Sequence, residues 1–68
     1  MTNKEVIIDL LRKFPQGLSI EELSLRGKMN RVTVRVILEG LLGENLITQR
    51  HIGQVKINYW NVKKESKK

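Results

Sequence analysis

One capping pattern occurs twice in the first third of the chain and fixes where two helices begin. Thr2-Asn3-Lys4-Glu5 and Ser19-Ile20-Glu21-Glu22 each place a hydroxyl residue three positions before a glutamate. In such a box the hydroxyl accepts from the third helical N–H and the glutamate returns to the cap N–H. After the first box, Val6, Ile7, Leu10, Leu11 and Phe14 recur at helical spacing, and Pro15 ends the run by disfavouring the α region at Phe14. After the second, Ile20 and Leu23 face inward and Leu18 is placed to staple against Leu23. Arg26-Gly27 then supplies a cationic last turn and a C′ glycine.

A third helix starts at Asn30. Val34, Ile37, Leu38 and Leu41 form its inward stripe, and the helix ends near Glu44 with Asn45 in the left-handed position. Beyond Asn45 the period changes. Residues 47–52 and 55–62 are rich in β-branched and aromatic types, and Gly53-Gln54 between them suits a type II′ hairpin turn. Gly17-Leu18 leaves room for a short third strand beside the hairpin. The expected fold class is α+β, three helices plus a C-terminal hairpin, with residues 1–62 as one domain and 63–68 as a basic, flexible tail without apolar residues. Of Tyr59 and Trp60, adjacent on a strand, one belongs to the core over the first helix. The other is left for the surface or a dimer contact.

The chain has 68 residues, no cysteine and one histidine. A core this small excludes a second domain, and no Cys/His metal cluster can form, so neither metal nor cofactor is expected. No nucleotide-binding or nucleophile-elbow glycine motif occurs, the carboxylates are accounted for by helix starts or exposed faces, and a small core leaves little concavity. The expectation is a non-enzyme with no small-molecule substrate. With no signal peptide and no apolar run long enough to span a bilayer, it is expected to be cytoplasmic and away from membranes.

Charge gives the positive indication. Residues 1–25 set Lys4, Arg12 and Lys13 against Glu5, Asp9, Glu21 and Glu22, a net of −1. Residues 26–68 set ten cations against Glu39, Glu44 and Glu65, a net of +7. A basic half beside a near-neutral half is the footprint of a polyanion partner.

These features together resemble the winged helix-turn-helix family of small bacterial and archaeal regulators. The resemblance is carried by Ser19-Ile20-Glu21-Glu22-Leu23, the turn Gly27-Lys28-Met29-Asn30, the run Arg31-Val32-Thr33-Val34-Arg35, and the exit Glu44-Asn45-Leu46-Ile47. It covers about residues 3–62. It implies a sequence-specific double-stranded DNA-binding transcription regulator, acting as a homodimer, with the third helix in the major groove and the wing on backbone or minor groove. By resemblance Asn30, Arg31, Val32, Thr33, Arg35 and Val36 occupy recognition positions. Ser19 and Lys28 flank them, and Arg50, His51, Gln54 and Lys56 are wing contacts. Winged helices specialised for left-handed DNA are a poorer match, because Arg35 and Glu39 stand at the helix positions concerned and the wing lacks proline.

One feature of the third helix fits a second reading. Val32, Val36, Gly40 and Gly43 lie opposite Val34 and form an exposed stripe of apolar and small residues. Such a stripe also suits a protein-interaction module, and a partner covering it would partly mask the helix from DNA. RNA or single-stranded binding ranks last, since three aromatics, two of them expected in the core, leave little for base stacking.

Overall fold

Each helix begins where its cap dictates. The computed structural model describes residues 2–61, in the order α1 (Asn3–Lys13), β1 (Leu18–Ser19), α2 (Ile20–Gly27), α3 (Arg31–Gly43), β2 (Ile47–Ile52) and β3 (Val55–Trp60). Val62 and the 63–68 tail, and with them the domain boundary expected there, lie outside the described residues. Thr2 Oγ1 accepts from the Glu5 N–H at 3.2 Å while Glu5 Oε1 accepts from the Thr2 N–H at 3.0 Å. Ser19 and Glu22 repeat the exchange at the same two distances. Asn30 Oδ1 accepts from the Thr33 N–H at 2.8 Å, so α3 starts one residue later.

The helix ends are equally local in two cases. Phe14 leaves the helical region before Pro15, at φ −120° and ψ 78°. At the end of α3, Asn45 adopts φ 66°. Its N–H reaches the Leu42 carbonyl, and the Leu46 N–H reaches that of Leu41, both at 3.0 Å. This pair of reversed bonds closes the last turn.

The end of α2 corrects the expectation. Gly27 is helical, and Lys28 takes the left-handed position at φ 56°, ψ 47°. A Cβ on Gly27 would meet the flexible end of Met29 at 3.0 Å and Val6 Cγ1 of α1 at an ordinary contact distance of 3.6 Å. The N–H groups of Lys28 and Met29 both donate to the Ser24 carbonyl, which holds Lys28 in place.

The three strands form one antiparallel sheet in the order β1-β3-β2, so the short third strand is present as Leu18–Ser19. Leu18 pairs with Asn58, and Ile47 through Ile52 pair with Trp60 through Val55. β3 runs to Trp60, and Asn61 already lies outside it, because its partner strand starts at Ile47, directly after the α3 exit; residue 62, expected in the strand, lies outside the described residues. Asn61 closes that corner: its N–H donates to Leu46 O at 2.9 Å and its side chain joins Asn45 O and Thr48 Oγ1, each at 2.8 Å. At the hairpin tip Gly53 has φ 64° and Gln54 does not have positive φ, as a type II′ turn requires.

Ile7, Leu11, Leu18, Leu23, Val34, Leu38, Leu41 and Ile47 form the core, drawing on all three helices and the sheet. Trp60 packs on this core, while half-buried Tyr59 points to the opposite face of the sheet, where its ring would meet a Cβ on Gly17 at 2.7 Å. The open choice between the two aromatics thus resolves with tryptophan inside and tyrosine covered by the α1–β1 turn. The order of elements and the sheet are those of an α+β arrangement compatible with a winged helix.

Candidate nucleic-acid interface

The hairpin, the start of α2 and α3 together line a groove of about 580 Å³. This depression is larger than the small core led one to expect. Arg31, Arg35, Leu38 and Glu39 line it from α3, Glu21 from α2, and Gln54, Val55 and Lys56 from the hairpin. Its floor holds Gln49 and Asn58, whose side chains bond at 2.9 Å.

Strand alternation separates the two faces of the hairpin, although Val55 at its tip reaches the groove from the other face. The cross-strand pairs Gln49–Asn58 and His51–Lys56 share the face of the core, whereas Arg50–Ile57 and Ile52–Val55 share the other. Asn58 sets that orientation. It is 1% exposed and donates through Nδ2 to the Leu18 carbonyl at 3.0 Å while accepting from Gln49. Every buried polar atom of this side chain is thereby paired, as a buried amide requires.

The residues singled out in the sequence fall into three groups. Ser19, Arg31, Arg35, Gln54 and Lys56 line the common groove. Ser19 contributes little there, because its Oγ is engaged at the α2 cap. Val32 and Val36 point outward from α3, 60% and 62% exposed, and do not line this groove. Arg50 lies on the far face of the hairpin, and exposed Lys28 sits at the α2–α3 turn. Asn30 is exposed with its Oδ1 engaged at the α3 cap, and Thr33 is half-buried. His51 shares the groove-side face of the sheet without lining the groove.

The two arginines of α3 differ in their surroundings. Arg31 Nη2 lies 3.4 Å from Glu21 Oε2, an exposed ion pair between α2 and α3. Arg35 has no carboxylate within ion-pair distance among the described residues. Glu39 follows one turn further on, so cations occupy the first two turns of the groove-side face and an acid the third. Among the described residues after Leu25, the cations are Arg26, Lys28, Arg31, Arg35, Arg50 and Lys56 and the acids are Glu39 and Glu44. Arg26 stacks over the Phe14 ring at 4.4 Å, away from the groove.

Glu21, Glu39, Gln49 and Asn58 were absent from the residues expected at the site. For Asn58 a signal existed: the strand period that turns Trp60 inward turns Asn58 inward with it, an odd place for an amide without a partner. Glu21 carried no such signal, since a helix-start acid is accounted for locally.

Among the described residues no three potential His, Cys, Asp or Glu ligands gather, and no helix is long and apolar enough to cross a membrane. No protein-family model matches the chain, and no curated protein matches it.

Proposed function

We propose that this chain is a sequence-specific double-stranded DNA-binding protein that acts as a transcription regulator, with α3 in the major groove and the β2–β3 hairpin against the adjoining backbone. The observation that carries this reading is the convergence of Arg31 and Arg35 from α3 with Lys56 from the hairpin on one open groove. A phosphate backbone lying in that groove meets cations from both walls, while the exposed side of α3 faces the bases. Glu39 in the third turn repels phosphate and confines the contact to the N-terminal half of the helix, where a major-groove helix reads base edges. A module of this size offers little contact area, and two copies on a palindrome supply more, so a homodimer belongs to the proposal.

Exposed Val32 and Val36 favour one competing reading, a face that docks a protein. A gel shift with mixed double-stranded DNA at low salt separates the two. The DNA reading expects retention that falls steeply with salt, and selection from a random pool that returns a palindromic consensus bound by a dimer. Absence of any retention, together with recovery of one protein in stoichiometric complex, overturns it.

A further inference from the structure

The outward face of the first two turns of α3 carries two exposed apolar side chains beside its cations, and part of its hydrogen-bonding capacity is already engaged. Asn30 Oδ1 is held by the Thr33 N–H, Thr33 is half-buried, and Arg31 is drawn toward Glu21 on the neighbouring helix. What the helix presents outward from its first two turns is Val32, Arg35 and Val36. Resting on the DNA reading above, we infer that this face recognises DNA chiefly by apolar contact with the C5-methyl groups of thymines, through Val32 and Val36.

Three observations support that occupant. The two valines stand four residues apart on one face, about 6 Å along the helix axis or roughly two base steps of DNA. Each follows an arginine in sequence, so the apolar spots lie beside cations along their length. A purely apolar protein surface would leave Arg35 unmatched, whereas a major groove offers phosphate walls and, on its floor, the thymine methyl as its one apolar group. Finally, both side chains are more than half exposed, although the core is short of large apolar residues, so they contribute little to holding the fold.

The test removes only the methyl group. A site selected from a random double-stranded pool is resynthesised with each thymine replaced in turn by deoxyuridine, which keeps the base pairing. At one or two positions within two or three consecutive base pairs of each half-site, the substitution weakens wild-type binding about fourfold, the worth of one buried methyl-sized group. Val32→Ala and Val36→Ala each bind the thymine and uracil versions equally at one of those positions. Alanine on an exposed helix face keeps α3 folded, since it is the best helix former. Deoxyuridine that is neutral at every position of a well-selected site overturns this inference and leaves DNA binding standing. A drop from dimer to monomer in both valine variants, with discrimination against uracil intact, also overturns it and assigns the face to a second copy. Failure to select any site at all overturns both the inference and the DNA reading.

Discussion

The Asn58 side chain donates through Nδ2 to the backbone carbonyl of Leu18, 3.0 Å away, and so ties the two-residue strand β1 to the hairpin from inside the core. The register at this point is Leu18 opposite Asn58, and it sets which face of β3 looks into the groove. Asn58→Ala leaves the Leu18 carbonyl short of a donor and Gln49 without its acceptor. It should lower unfolding stability by about 1–3 kcal/mol, the range for orphaning a buried polar partner. Urea denaturation followed by circular dichroism checks this, and a loss well under 0.5 kcal/mol would contradict the role given to Asn58.

Two glycines should respond oppositely to alanine. Gly17 has φ 96°, and a Cβ there would fall 2.5 Å from Ile57 Cγ2. Gly17→Ala therefore carries both backbone strain and overlap, and is expected to cost about 2 kcal/mol or more. Gly40 sits inside α3 with nothing within 4 Å of its would-be Cβ. Gly40→Ala should stabilise the chain by about 0.5–1 kcal/mol through helix propensity alone. Thermal melting of the two variants checks both signs.

Asn30 separates a structural role from a recognition role. Its side chain caps α3, so Asn30→Ala should cost about 1 kcal/mol while Asn30→Ser keeps most of the stability. DNA affinity of Asn30→Ser should stay close to wild type, because its side-chain oxygen is engaged by the cap. A large selective loss of binding in a fully stable Asn30→Ser variant would show that Asn30 reads a base after all.

Glu39 lines the same groove as Arg35 and Lys56. Glu39→Gln removes a charge that repels phosphate and should strengthen binding about two- to threefold at low salt, equally for all sequences, the size of a single screened repulsion in water. A fluorescence anisotropy titration on specific and scrambled duplexes measures it. Weaker binding confined to one sequence would instead make Glu39 a base reader.

The parts of this fold that were legible in the sequence are those decided within a few residues. Thr2, Ser19 and Asn30 start their helices because each cap is completed three positions later, and Asn45 ends α3 through bonds to Leu41 and Leu42. The α2 end differs by one residue: Gly27 has the local preference for the left-handed position, but the helix includes it and Lys28 takes that position, with its N–H and that of Met29 both on the Ser24 carbonyl. Of the groove's lining, Ser19, Arg31, Arg35, Gln54 and Lys56 were already singled out in the sequence. Arg50 was expected beside them and lies on the other face, since its orientation depends on the β3 register fixed by Asn58 and Leu18, forty residues apart in sequence. The Glu21–Arg31 pair was equally hidden, because it joins two helices whose crossing no local pattern sets.

If α3 and the hairpin hold a DNA backbone between them, Arg35, without a carboxylate partner among the described residues, neutralises one of its phosphates. The measurement is the salt dependence of duplex binding for wild type and Arg35→Ala, plotted as log affinity against log salt concentration. Wild type is expected to show a steep linear fall and the variant a slope shallower by roughly 0.9, the loss of one neutralised phosphate. Superimposable slopes, or no binding by wild type at low salt, would contradict it.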